Sequence, residues 1–297
     1  MSDKVATIDF HVTAACTQEC EYCWGPPRRM AAIDTGTALA IIERVHKFGV
    51  RRIVFTGGDP LLRRDIVGLI RHAHDTGLEV ALSTTGDRLT RDFLDATRGY
   101  IALISLPLDG SDEARNSRTK RPGHFAAILA ALDLLRGYPE IDVKLCTPVT
   151  RDGVDDVVNI AALAEAWADA AGNRVFYNVF QVFPRSWEPC NWDGLIVSDE
   201  AWEEMVRQVE AHRFRIRINF LSTKVLDQLY VLILPDGGLY VPSGPTYHYF
   251  GQALEIDNLD AILSASTFDS IKHLAHSKAW GHTGQTIEQH IANQRGR

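Results

Sequence analysis

The chain opens with an apolar, partly alternating run at residues 6–12, rich in strand-forming side chains. Asp34 or Thr35 can then cap a helix that reaches Phe48. Leu39, Ile42 and Val45 lie on its neighbouring rows, and Gly49 stops it. This pairing of a short apolar strand with an amphipathic helix recurs. Strands are predicted at 52–56, 78–83, 101–106, 141–147 and 175–183, with helices at 65–74, 90–97, 125–135 and 155–170. Such alternation implies βαβ crossovers and a parallel sheet clothed in helices. After a helix at 199–212 the period changes. Phe214, Ile216, Ile218 and Phe220 alternate with Arg215, Arg217 and Asn219, as in a strand with one wet face. Two further runs, 229–234 and 239–241, flank Pro235-Asp236-Gly237-Gly238, a hairpin signal. Short helices are expected at 259–264 and 267–276. The fold class read from this pattern is α/β, with a first unit at 1–212 and a smaller α+β extension at 213–297.

With 297 residues, 45% of them hydrophobic, the chain can bury a large core. A net charge of −7 gives no general attraction to nucleic acid or to an anionic membrane. Its short basic clusters, such as Arg28-Arg29 and Arg63-Arg64, read as solvated surface. No apolar run is long enough to span a bilayer, and no secretory segment follows Met1. Of the five cysteines, three fall within eight residues, which is no disulfide framework. The expected setting is a reducing cytoplasm.

Those three, Cys16, Cys20 and Cys23, are spaced Cys-x3-Cys-x2-Cys, just past the first strand. Thiolates suit iron–sulfur clusters and zinc. Three of them leave one iron of a [4Fe–4S] cubane open, whereas a structural zinc site needs a fourth ligand, and none is near in sequence. Gly57-Gly58-Asp59-Pro60 follows the second strand, where glycine lets the backbone approach a ligand closely.

The cysteine spacing resembles the signature of the radical S-adenosylmethionine (SAM) superfamily. That resemblance implies a partial (β/α)6 TIM-like barrel with a [4Fe–4S] cluster at the C-terminal mouth of its strands. SAM would chelate the open iron. One electron, from a reductant such as flavodoxin or ferredoxin, would then release a 5′-deoxyadenosyl radical. Tyr22 matches the position beside the adenine. Gly57, Gly58 and Asp59 match a Gly-Gly-Glu-Pro segment that binds the amino end of SAM, with the shorter Asp59 in place of Glu. Thr84, Thr85 and Ser105 match polar positions that touch SAM.

Residues 8–13, Val179-Phe180-Gln181 and Tyr230-Val231-Leu232-Ile233 resemble segments of the viperin family more closely. Viperins take the 4′ hydrogen from a nucleoside triphosphate. In that likeness Lys144 is a retained lysine, and Tyr230 is placed to donate a hydrogen or proton. The family's Arg-x-Lys, however, is Phe176-Tyr177-Asn178 here. Charge-assisted contacts dominate phosphate binding. The loss predicts a substrate with fewer phosphates unless Arg185, Arg118, Lys120 or Arg121 compensates. Phe176 or Tyr177 then offers an aromatic face to a sugar or base; the other belongs to the core, since neighbours on a strand face opposite ways. Residues 239–243 resemble the start of a SPASM module in degenerate form, with Ser243 where the module has cysteine. Cys146 and Cys190 are too few for an auxiliary cubane, and Cys146 either reaches the cavity beside Lys144 or packs as a small core residue. The reading is an enzyme that abstracts hydrogen from a small nucleoside- or sugar-like substrate. Its rivals are a viperin-type dehydratase and a peptide maturase.

Overall fold

Parallel strands cannot be joined by tight turns, so each return needs a crossover, here helical. The computed structural model describes residues 4–279. In chain order its elements are β1 (Thr7–Thr13), α1 (Thr35–Lys47), β2 (Arg52–Gly57), α2 (Ile66–Asp75), β3 (Glu79–Ser83), α3 (Arg91–Ala96), β4 (Leu103–Pro107), α4 (Glu113–Asn116), α5 (His124–Leu135), β5 (Asp142–Val149), α6 (Val157–Ala170), β6 (Val175–Gln181), α7 (Asp199–Ala211), β7 (Arg217–Leu221), α8 (Thr223–Leu226), β8 (Leu232–Ile233), β9 (Gly238–Ser243), β10 (Thr246–Gln252), α9 (Leu259–Ser264) and α10 (Ser270–Ala279). Of the two cap candidates Asp34 is the one used, accepting from Thr37 N; Thr90 accepts likewise from Phe93 N and Ser198 from Ala201 N.

One sheet holds all these strands, in the order β10-β9-β8-β1-β2-β3-β4-β5-β6-β7. Strands β1 to β7 run parallel, each to the next. β8 adds to β1 in parallel, and β8-β9-β10 form an antiparallel meander. β7 and β10 are the free edges, so the structure is the open partial barrel that the sequence led us to expect.

Three features differ from the sequence reading. β7 is a seventh parallel strand, paired with β6 through Asn178 and Asn219, so the sheet runs across the expected boundary at residue 212. Its polar positions looked like a solvent face. In fact Asn219 is buried and donates to the Asn178 side chain at 2.8 Å, inside the barrel. β10 was not predicted, because an edge strand with mostly half-exposed residues lacks the apolar alternation that marks a strand. The short helices α4 and α8 were also missed. The part of the expected extension beyond residue 279 lies outside the described residues.

Alternation along each strand sorts the side chains. Ile8, Phe10, Val12, Ile53, Phe55, Leu82, Ile104, Leu145 and Val179 face the helices and form the main core with Ile41, Ile42, Leu69, Ile70, Leu132 and Ile160. The inward positions are smaller or polar: Asp9, His11, Thr56, Ser83, Ser105, Lys144 and Cys146 border a cavity. A second apolar cluster, including Ala81, Leu103, Phe176, Leu221 and Val225, fills the barrel interior beside it. α10 closes the N-terminal end of β1. His273 Nε2 accepts from Ala6 N (3.0 Å) and Thr7 N (3.2 Å), while Nδ1 donates to Leu229 O at 2.9 Å.

Candidate active site

The cavity, about 360 Å³, brings together most of the residues chosen from sequence. Cys16, Cys20, Tyr22, Cys23, Gly57, Gly58, Thr84, Thr85, Ser105, Lys144 and Tyr230 all line it. Asp59 does not. It is fully buried, and its carboxylate accepts from Thr84 Oγ1 (2.7 Å), Thr85 Oγ1 (2.5 Å) and Leu61 N (3.1 Å). Asp59 thus ties the β2 turn to the β3 turn, leaving Gly57 and Gly58 to present backbone to a ligand.

The cysteine loop is docked on that turn by main-chain bonds, Gly58 N to Thr13 O and Asp59 N to Ala15 O, each 2.7 Å. A Cβ at residue 58 would meet Ala15 O at 2.1 Å, and one at 57 would meet Thr13 O at 2.2 Å; Gly57 also has φ +138°. Gly25 leaves the space beside the Cys23 sulfur open, where a Cβ would stand 3.1 Å from it. Backbone N–H groups of Gln18 and Gly25 point at the Cys16 and Cys23 sulfurs at 3.4 and 3.2 Å. All three cysteines are free thiols. Among the described residues, no three His, Cys, Asp or Glu side chains converge on a single ion. Three thiolates carried on one loop suit a polynuclear cluster, in which each thiolate holds a different iron. With N–H donors already aimed at two sulfurs, the residues present fit such a group.

A buried polar chain braces this rim. The Tyr22 hydroxyl donates to Asp109, as does Thr119 Oγ1 at 2.6 Å, and Lys120 Nζ lies 3.5 Å from the same oxygen. Asp109 N donates to Asn116 Oδ1. Asn116 Nδ2 meets His124 Nδ1, and His124 Nε2 donates to Thr85 O. Gln18, buried in the loop, bonds Asp87 and Arg121 N. Beyond Cys23, Trp24 is held by Phe183 O and Tyr247 Oη. The Arg185 guanidinium stacks over Trp24, Phe183 and Tyr247 and donates to Gly244 O and Asp227.

The floor is different. Burial pushes the Asp9 carboxyl up to about 6, against the pull of the Lys144 charge. Burial lowers His11 to about 4 and lowers Lys144 and His276, the latter with help from Lys144 and His273. Burial holds the Tyr230 phenol well above its usual value, so it stays protonated. Among the described residues, His11 Nδ1 in the cavity wall and Asn178 Nδ2, which does not line the cavity, are buried with no hydrogen-bond partner. Cys146 lines the cavity, 3.2 Å from Ser105 Oγ, and burial keeps it a thiol.

Several sequence expectations resolve here. Tyr177 is the core member of the aromatic pair, its hydroxyl on Thr147 Oγ1 at 2.9 Å. Phe176 faces the barrel interior but packs in the second apolar cluster and does not line the cavity; Phe180, Phe183, Trp24 and Tyr230 supply its aromatic wall instead. Of the compensating cations, Arg185 is committed to Asp227 and Gly244. Arg118 bonds Asp152 O, and Arg121, exposed, pairs with Asp87. Sequence reasoning did not single out Asp9, Asp109, His124 or His276 as site residues. The one local signal was His273-x-x-His276 on one helical face, which is indistinguishable from surface histidines until the helix is docked.

The radical SAM superfamily model matches residues 10–179. The chain is 25% identical to an S-adenosylmethionine-dependent nucleotide dehydratase of Flammeovirga pacifica, covering 85% of this chain and 88% of that one. It is 25% identical to another so named, of Lacinutrix mariniflava, over 91% of this chain but only 57% of that longer protein. In fold it is similar to Streptococcus suis SuiB bound to S-adenosylmethionine, with TM-score 0.65 at 14% identity over 86% of this chain and 65% of that one. A cysteine triad docked on a Gly-Gly turn at the mouth of an open parallel barrel, and a family match over more than half its length, place this chain in the radical SAM superfamily, whose cofactors are a [4Fe–4S] cluster and SAM.

Proposed function

We propose that this protein abstracts a hydrogen atom from a small nucleoside- or sugar-like substrate carrying fewer than three phosphates. Bound at the rim, the cluster and SAM supply the 5′-deoxyadenosyl radical that takes the hydrogen. The chain's own part is to hold Cys16, Cys20 and Cys23 for the cluster, to present Gly57 and Gly58 backbone toward SAM, and to keep the target carbon in reach from below.

The observation that carries the substrate reading is the charge inventory of the cavity. Among the described lining residues the lysines are Lys144 and Lys120, with no arginine, and Lys120 stands at the cluster end beside Asp109. Opposite Lys144 is a carboxyl, Asp9, and the histidines are held neutral by burial. A triphosphate buried there would keep several charges unpaired, at a high cost. Hydroxyls and ring nitrogens suit the His11 side chain, which lines the cavity and whose Nδ1 has no hydrogen-bond partner among the described residues. Tyr230, kept protonated by burial in the aromatic wall, would return a hydrogen or proton. Lys144 would bind one phosphate or a sugar hydroxyl.

The test is substrate-triggered deoxyadenosine formation by anaerobically reconstituted protein, comparing a nucleoside, its monophosphate, its triphosphate and a nucleotide sugar. The triphosphate should be the poorest, and Lys144→Ala should lower turnover of the best substrate about tenfold or more. Fast, selective turnover of a triphosphate would return the protein to the viperin activity.

A further inference from the structure

Lys120 is used neither by the substrate cavity's floor nor by the surface. Its side chain is 6% exposed, in the wall between the main cavity and an outer groove lined by Glu19, Glu21 and Arg118. Its ammonium stands 3.3 Å from the Cys20 sulfur, 3.5 Å from Asp109 Oδ2 and 5.3 Å above the Tyr22 ring. Serving Asp109 alone would not require the nitrogen to be nearer the sulfur than the carboxylate. The carboxylate is held in place, because Tyr22 and Thr119 both donate to Asp109 Oδ2 while the Asp109 backbone N–H is fixed on Asn116 Oδ1. Lys120 is itself anchored by its backbone N–H on Asn116 O at 3.0 Å. The donor is therefore preset toward one sulfur of the triad.

We propose that Lys120 is a positioning and charge-setting residue for the cluster: its ammonium donates to the Cys20 sulfur and raises the cluster's reduction potential. Hydrogen bonds to the sulfurs and local net charge are two of the levers by which a protein tunes such clusters. Reduction adds one negative charge, and a buried cation beside the ligand favours that state with little screening by salt. Asp109 offsets part of this charge but is the farther of the two from the ammonium nitrogen, at 3.5 Å against 3.3 Å.

The inference rests on the cluster being held by Cys16, Cys20 and Cys23. The experiment is an EPR-monitored redox titration of anaerobically reconstituted protein, without substrate, for the native chain, Lys120→Met and Lys120→Arg. The Met variant should bind full iron, yet its reduced-to-oxidised ratio at a fixed potential should fall about tenfold, a shift of 59 mV for one electron. The Arg variant should recover most of that. If Lys120→Met does not assemble a cluster, Lys120→Gln, which keeps a donor without the charge, takes its place and should show a smaller drop. A full cluster with unchanged potential in the uncharged variant overturns the proposal. If SAM affinity falls while the potential stays put, Lys120 serves SAM instead. Native protein that takes up no iron would defeat the underlying site reading, and is read separately.

Discussion

The rim and the floor of one cavity are built on opposite terms. At the rim nearly every polar group is paired within the protein: Asp59 by two threonines, Gln18 by Asp87 and Arg121, His124 on both nitrogens. At the floor a carboxyl, a lysine and two histidines are gathered in burial that works against their charges, and His11 Nδ1 has no hydrogen-bond partner among the described residues. A satisfied buried network is rigid; an unsatisfied one costs stability until a ligand completes it. The contrast separates two tasks, a fixed mount for cofactors above and a recognition surface for a variable substrate below.

The largest test breaks the mount. In Gly58→Ala the new methyl would overlap Ala15 O and Ala15 C, which are backbone and cannot rotate away. We expect a loss of about 2 kcal/mol or more in stability together with failure to retain iron. A variant with native melting temperature and full iron would show that the close approach does not hold the cysteine loop.

The floor is sharpened by pH. The Asp9 carboxyl, at about 6 in the fold against 3.8 ordinarily, contributes stability below pH 4 that is lost as pH rises through 6. His11, lowered from 6.5 to about 4, has the opposite sign: its contribution is present above pH 6.5 and is lost as pH falls through 4. Asp9→Asn should therefore stabilise the cofactor-free protein at pH 7.5, by up to about 3 kcal/mol, with little change at pH 4. It should do so while lowering substrate-triggered deoxyadenosine formation, the trade expected where a site is kept unsatisfied for function. Thermal melts at the two pH values check this. Equal shifts at both, or a lower melting temperature at pH 7.5, would place Asp9 in the structural scaffold.

The smallest effect is expected at the remaining thiols. Cys146→Ser and Cys190→Ala should leave iron content unchanged, since neither belongs to the triad. Metal analysis that finds about half the iron missing in either variant would reveal a second cluster and erase the division between rim and floor.

Periodicity and spacing determined much of this protein. Strand and helix periods place a βα repeat, because alternation at two and near 3.6 residues follows directly from backbone geometry. The cysteine triad and the Gly-Gly turn were legible because they are local: one loop supplies the three thiolates, and one turn supplies the close backbone approach. What sequence alone could not decide is which polar residues meet. β7's arginine and asparagine positions looked like a wet face, and only pairing with β6 turns Asn219 inward onto Asn178. Asp9 and Lys144 lie 135 residues apart and meet because parallel strands β1 and β5 face one lumen. Arg185 looked like a spare phosphate ligand, yet the β9–β10 turn and Trp24 enclose it. His276 enters the cavity only because His273 docks α10 on β1. Local signals fix what each segment becomes; burial, pairing and charge depend on neighbours distant in sequence, and only the folded chain supplies them.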